Sequence, residues 1–223
     1  VARQLTETID LGDRVRVIGG AAGLGLVLPA IPIVEERVQE LGRPSQYILT
    51  SGSLDPRKAV TLLIAAFGLP NAPDLPLIAL GPDTWGELDL ASVADEAGLA
   101  PGRVRALSGL SDSDLAVVIA RACIFVYPRL EEGFALPIIE AFHLGTPVVH
   151  SDAPALLEAA GDAGVAVERS NTKEHPARLT ETINRVLGDS VLRGRVTVHG
   201  GDRSRAFSWR DSAERVWQLH ADL

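Results

Sequence analysis

Between positions 45 and 167 the chain alternates short apolar runs with segments whose apolar residues recur every three or four positions. A sequence built this way has few folds open to it. Short buried strands separated by amphipathic helices specify a parallel sheet covered on both faces, because each crossover helix must return the chain to the same end of the sheet. Residues 45–51 read as a buried strand ended by Gly52. A helix over 58–67 follows, with Val60, Leu62, Leu63, Ile64 and Phe67 at helical spacing. The cycle continues as strand 75–80, helix 88–97 with Gly98 as its stop, and strand 103–107. Next come helix 112–121, strand 123–127, helix 137–144, strand 147–150, helix 154–160 and strand 163–167. From about 174 the tail reads as helical, with Trp209 and Trp217 on its last segment and Ser208 or Asp211 as its cap. The expected fold is α/β, a doubly wound parallel sheet with a helical C-terminal tail.

Residues 1–44 break the pattern. Residues 14–18 suit a strand and 34–41 a short amphipathic helix ended by Gly42 and Pro44, with a glycine-rich stretch between them. This region is expected to be an interdomain connection or the remnant of a preceding domain, with 45–223 as the folded unit. The chain opens Val1-Ala2-Arg3, which suggests a cut inside a longer protein.

Charge and composition narrow the function. The net charge is −8 with no basic block, which argues against a nucleic-acid face. The apolar stretch 24–34 contains Pro29 and Pro32 and is too short to span a bilayer. Cys123 is the only cysteine, so no internal disulfide can form; its apolar setting reads as a core thiol, and a reducing cytoplasm is the expected location, with the inner face of the membrane as a peripheral site.

In an open parallel sheet, ligands bind at the carboxyl ends of the strands, and two loops there carry chemistry. The first runs Gly52-Ser53-Leu54-Asp55-Pro56-Arg57-Lys58. It places two adjacent cations at the start of a helix, in a chain whose only lysines are Lys58 and Lys173. A helix N-terminus adds free N–H groups and partial positive charge, so a phosphate fits there; a solvated Arg-Lys pair is the alternative. The second loop runs from Pro128 to Leu136 into a helix containing Glu140, with Pro137 at its first position and Gly145 just past its end. That helix is apolar except for Glu140 and His143, so a carboxylate in its first turns calls for a hydrogen-bonding partner. Its own N-terminal amides or the hydroxyls of a ligand would serve. Glu132 precedes the Gly133-Phe134 turn. Two glutamates at this spacing are weak evidence alone.

Other chemistry is not encoded. No Gly-x-Gly-x-x-Gly follows a strand, Lys58 lacks the glycines of a nucleotide P-loop, and no His, Cys or Asp spacing suits a metal. His143 and His150 read as packed residues, Ser151 with Asp152 and Ser111 with Asp112 as helix caps, and Trp85 as a loop anchor or cleft wall.

The segment Glu132-Gly133-Phe134-Ala135-Leu136-Pro137-Ile138-Ile139-Glu140-Ala141, followed by Gly145-Thr146-Pro147-Val148-Val149, resembles the signature of glycosyltransferase family 4. Gly52 to Lys58, Gly102 to Arg105, Glu158 to Ala163 and Phe207-Ser208-Trp209 match in the same order, so the resemblance covers roughly residues 45–217. The wording is nearest to bacterial mannosyltransferase-type members. The resemblance implies the Rossmann-like, donor-binding half of a GT-B fold. It implies a retaining, metal-independent enzyme that moves a hexose of mannose or glucose type from a GDP- or UDP-sugar to an acceptor, with no cofactor. In that reading Glu140 meets the donor ribose and Glu132 the transferred sugar. The amides of Gly133, Phe134, Ala135 and Leu136 face the phosphates and sugar, while Lys58 and Arg57 neutralise the leaving diphosphate beside Ser53. The acceptor domain would precede this segment, and the fragment alone would be inactive. A non-catalytic nucleotide-sugar-binding domain, or another GT-B enzyme such as a phosphorylase or epimerase, are the alternatives. The chain departs from the family at Ser53, where many members carry Arg, at Ala135, where Gly is usual, and at Ala59, where Asn or Gly often follows the lysine. Ile18-Gly19-Gly20 stands in place of Pro-Asn-Gly.

Overall fold

The computed structural model describes residues 2–30, 34, 36, 37 and 44–221. Six parallel strands form one sheet: β1 (Ile48–Ser51), β2 (Leu77–Leu80), β5 (Val104–Leu107), β6 (Ile124–Tyr127), β7 (Val148–Ser151) and β8 (Val165–Val167). Their order is β5-β2-β1-β6-β7-β8. The chain builds outward from β1 through β2 to β5, then returns to the other side of β1 with β6 and proceeds to β8. The winding therefore reverses between β1 and β6, whose registers pair Ile48 with Ile124 and Thr50 with Val126. Such a reversal opens a crevice at the strand ends.

Alternation along the strands divides the core. Ile48, Ile124 and Val126 face one cluster, with α2 (Val60–Phe67), α3 (Leu90–Glu96) and α7 (His175–Gly188). Leu49, Phe125, Tyr127 and Val148 face the other, with α4 (Asp112–Ala120), α5 (Leu136–His143) and α6 (Pro154–Ala160). Both faces are covered, as the apolar strands require. The tail supplies α7, α8 (Ser190–Ser204) and α9 (Trp209–Ala221); α1 (Ala2–Thr8) lies near the start. Helix α8 packs closely on α5: a Cβ at Gly200 would sit 2.6 Å from the Phe142 ring. Arg203, at the end of α8, donates to the carbonyls of Ala159 and Glu158, the carbonyl-rich end of α6.

Several boundaries differ from the sequence reading. Residues 14–18 form no strand; a 3-10 turn at Gly12–Arg14 gives way to irregular chain. Of the helix expected over 34–41, Val34, Glu36 and Arg37 are helical and the other positions lie outside the described residues. Helix α2 starts at Val60 rather than Lys58 because Ala59 is left-handed (φ 54°) and interrupts the helical turn begun at Pro56–Lys58. Leu88 belongs to a short antiparallel ribbon, β3 (Thr84–Trp85) with β4 (Leu88–Asp89). Asp89 then caps α3, accepting the Ser92 amide at 2.9 Å. Ser111 caps α4 as expected, and Ser208 caps α9 by accepting the Asp211 amide. Ser151 and Asp152 do not cap α6: the Ser151 hydroxyl donates to the Arg129 carbonyl, and Asp152 accepts the Arg169 amide. His150 is fully buried, but His143 is exposed, and Cys123 is only half-buried at the amino end of β6. Trp85 is 45% exposed on its ribbon and anchors no core.

Candidate functional site

The two loops singled out in the sequence leave β1 and β6, the strands that flank the reversal. In the first, Asp55 is buried and organises the turn. Its Oδ1 accepts the Arg57 amide at 2.9 Å, and its carboxylate takes the Arg57 guanidinium, with Nη2 to Oδ2 at 2.7 Å. The Arg57 contacts, with lesser help from Lys58, hold the Asp55 carboxyl down to about 2. Arg57 is therefore directed back into its own loop. Lys58 is half-buried under Gly52, and its charge bears on both Asp55 and Glu132. Ser53 is half-buried in the same turn. Gly81, at the end of β2, passes so near that a Cβ there would lie 2.9 Å from the Gly52 carbonyl (φ 147° at Gly81), so this approach requires glycine.

The second loop is built around Glu132. Oε2 accepts the Tyr127 hydroxyl at 2.8 Å and forms an ion pair with Arg129 Nη1 at 3.0 Å; Oε1 accepts the amide of Gly133 at 2.8 Å. Arg129 is only 8% exposed and lies over the Tyr127 ring at 4.7 Å. Burial pushes the Glu132 carboxyl up, but the Gly133 amide, the Tyr127 hydroxyl and the charges of Arg129 and Lys58 outweigh it and hold the group below its ordinary value. Burial drives the Tyr127 hydroxyl far above its ordinary range, so it stays a neutral donor. Phe134 meets Phe207 edge-on at 6.1 Å, and the Arg203 guanidinium lies over the Phe207 ring at 5.0 Å.

Helix α5 begins at Leu136, one residue earlier than expected, with Pro137 second and Ala135 in the left-handed conformation (φ 67°, ψ 40°). Ile138, Ile139, Ala141 and Phe142 are buried, whereas Leu136, Glu140 and His143 form an i, i+4, i+7 stripe that is half-buried to exposed. The helix is thus open along one face, not buried all round. Glu140 does not cap its own helix; Gly23 lies beside its carboxylate. Burial raises the Glu140 carboxyl above its ordinary value, opposed by the Gly23 backbone and reinforced by Asp112. The two glutamates are pushed in opposite directions.

Three features escaped the sequence reading. Tyr127 and Arg129 clamp Glu132; the sequence signal for them was a lone cation in the β6–α5 loop three residues before the glutamate. Residues 20–26 also cross the site: Gly20 abuts Phe134, the Ala22 carbonyl accepts Trp209 Nε1 at 2.8 Å, Gly23 approaches Glu140, and Leu26 enters the core. An open groove of about 460 Å³ lies elsewhere, beside β8 between Arg185, Asp189 and Arg195, and takes in none of the candidate site residues.

A doubly wound parallel sheet with charged loops at its reversal defines a Rossmann-like domain, here of the kind found in GT-B glycosyltransferases. Residues 34–198 match the family of glycosyl transferases group 1, and the chain belongs to that family. It is 34% identical over 168 residues to O-antigen chain mannosyltransferase B of Escherichia coli, an alignment covering 74% of this chain and 43% of that protein. The chain thus spans less than half the length of this relative. Among solved structures, a glycosyltransferase of Rickettsia africae superposes with a TM-score of 0.82 at 18% identity, over 99% of this chain and 60% of that one. HepE of Anabaena, solved in complex with UDP-glucose, superposes with a TM-score of 0.76 at 21% identity, over 91% and 56%. Among the described residues no helix is long and apolar enough to cross a membrane.

Proposed function

We propose that this chain is the donor-binding domain of a retaining glycosyltransferase that moves a hexose of mannose or glucose type from a nucleoside-diphosphate sugar to an acceptor. The observation that carries the reading is that Lys58 and Glu132, on the loops after β1 and β6 at the reversal, lie close enough for the lysine's charge to bear on the carboxylate, with Glu140 on the helix that the second loop enters. Glu140 accepts the ribose hydroxyls, and Glu132 accepts from the transferred sugar. Lys58 and the amino end of α5, with Gly133 to Leu136 and Ser53 alongside, face the diphosphate. As the glycosidic bond breaks, negative charge gathers on the departing diphosphate, and fixed cations and amides stabilise it without reorganising. The departing phosphate supplies the negative charge that the oxocarbenium-like carbon needs and takes the proton of the acceptor hydroxyl, so the acceptor enters from that same face with retention. Arg57 reaches the phosphate only by leaving Asp55, which makes it a secondary contact. Residues 1–44 serve as the interdomain connection and 45–223 as the donor domain, with an acceptor domain completing the cleft. The chain alone binds donor but transfers no sugar.

The mannosyltransferase and UDP-glucose neighbours set the ligand panel. Thermal unfolding of the chain with GDP, UDP, GDP-mannose and UDP-glucose tests the reading. A ligand held by the native state at a hundred times its Kd raises stability by about 2.7 kcal/mol. At least one nucleotide and its sugar conjugate should raise the melting temperature; four flat results would sink the proposal.

A further inference from the structure

Arg129 carries the only cation in the β6–α5 loop, yet it is placed where a cation is costly. The site repays that cost with specific contacts. Its carbonyl is held by the Ser151 hydroxyl, its guanidinium lies over Tyr127, and Nη1 is ion-paired with Glu132 Oε2, while Nε is buried with no partner. Tyr127, which brings the second donor to the same oxygen, is itself fixed by stacking on Phe125 at 5.6 Å. Glu132 is thus oriented from two sides before any ligand arrives.

We propose that Arg129 is a positioning residue that aims Glu132 at a hydroxyl of the transferred sugar and keeps it an acceptor; this rests on the donor-domain reading above. A carboxylate offers about four lone-pair sites. Tyr127 donates to Oε2 and the Gly133 amide to Oε1, and the Arg129 guanidinium is ion-paired against Oε2 at 3.0 Å. A lone pair remains on Oε1, away from the Arg129 side of the carboxylate, and a sugar hydroxyl donates there. A protonated Glu132 would present a donor there instead. The charge on Arg129 opposes that protonation, and its placement on Oε2 prevents the carboxylate from rotating.

The test uses the 223-residue chain and whichever of the pairs GDP/GDP-mannose or UDP/UDP-glucose it binds. Calorimetric titration gives the ratio of the two affinities, which reads the sugar contact alone. Arg129→Met should leave the bare nucleotide within about twofold and reduce the sugar's contribution roughly tenfold, as for loss of one charge-assisted bond. Arg129→Lys should restore most of it. Repeated from pH 8 to pH 5, the sugar contribution should disappear at higher pH in Arg129→Met than in the parent. A merely structural arginine would not move that profile. Tyr127→Phe keeps the ring and removes one Oε2 donor. It should lower the same ratio by a smaller factor, so the inference stays testable even where Arg129→Met fails to fold. The pair Arg129→Met with Glu132→Gln should be no worse than Glu132→Gln alone. Equal weakening of nucleotide and sugar conjugate, or an unchanged ratio in both Arg129→Met and Tyr127→Phe while Glu132→Gln destroys it, overturns the inference and leaves the donor reading standing. Absence of binding by the parent to all four ligands overturns both.

Discussion

The amide of Leu130 donates to the carbonyl of Arg57 across 3.1 Å, and this one bond joins the loop after β1 to the loop after β6. It fixes the spacing between the lysine of one loop and the glutamate of the other. Neither side chain has to find its partner when a ligand arrives, and this preorganisation lowers the cost of binding.

Phosphate recognition divides unequally between the two cations. Charge-assisted bonds to a phosphate contribute roughly 1.5–3 kcal/mol. Lys58→Ala should weaken binding of the nucleoside diphosphate by about tenfold or more and leave the bare nucleoside almost unchanged. Arg57 is 72% exposed at its side chain and already paired with Asp55, so Arg57→Ala should weaken the diphosphate by less than about threefold. Titration with nucleoside and nucleoside diphosphate separates these outcomes. Equal loss for both ligands in Lys58→Ala would make that lysine structural.

The two glutamates should fail differently. Glu140→Gln places a donor amide where a ribose hydroxyl needs an acceptor, at a cost of roughly 1–3 kcal/mol in nucleotide and nucleotide-sugar binding alike. Glu132→Gln should spare the free nucleotide, lower affinity for the sugar conjugate, and sharply reduce turnover in an enzyme completed by its acceptor domain. Because Glu140 is ionised against its burial and caps no helix, Glu140→Gln should leave the melting temperature of the unliganded chain unchanged or slightly raised. Four affinities and two melting curves decide this. If Glu132→Gln harms the bare nucleotide as much as Glu140→Gln, the division of roles is wrong.

Their opposite pKa displacements give a pH signature. Glu140 is raised, so as pH falls it takes up a proton first and loses one ribose acceptor above the ordinary carboxylate range. Glu132 is lowered, so it remains ionised to more acidic pH. Titrations from pH 8 downward should show nucleotide affinity declining first, with the ratio of sugar-conjugate to nucleotide affinity persisting further. For stability the sign at Glu140 is the reverse of the usual carboxylate. Its folded form holds the proton more tightly than the unfolded one, so its ionisation subtracts stability as pH rises and Glu140→Gln removes that dependence. A sugar contribution lost before the nucleotide's would contradict the assignment.

The sequence made the sheet legible because parallel strands buried on both faces leave short apolar runs, and every strand of the six was anticipated within three residues of its start. The site was legible as two loops, since ligand chemistry must collect at strand ends. What was hidden depends on tertiary contact. The 14–18 segment carries the alternation of a strand but has no neighbour to pair with, and Leu88 has helical spacing yet pairs with Trp85. The approach of Gly23 to Glu140 brings together residues more than a hundred positions apart, so no local pattern announces it. Tyr127 lies at the end of an expected apolar strand, and only its hydroxyl's reach to Glu132 separates it from Phe125.

Two departures from the family pattern, Ala59 and Ala135, fall on left-handed backbone, at φ 54° and 67°, and both are almost fully buried. Each is a residue with a Cβ where glycine would be relaxed, and the left-handed region costs such a residue roughly 1–2 kcal/mol. Replacing either by glycine relieves that strain. It also gives back about 0.4–1 kcal/mol of unfolded-state entropy and roughly 0.8 kcal/mol of buried methyl. Ala59→Gly and Ala135→Gly should therefore stay within about 1 kcal/mol of the parent in urea unfolding. Valine adds branching where positive φ tolerates it least and volume where the core has none, so Ala135→Val should cost about 2–4 kcal/mol. Ala135 also sets the entry of α5, so Ala135→Val should weaken nucleotide binding even where the chain remains folded, whereas Ala135→Gly should preserve it. A valine variant as stable as the parent would mean that the turn before α5 can leave the left-handed region, and that the helix amides are not held in place by it.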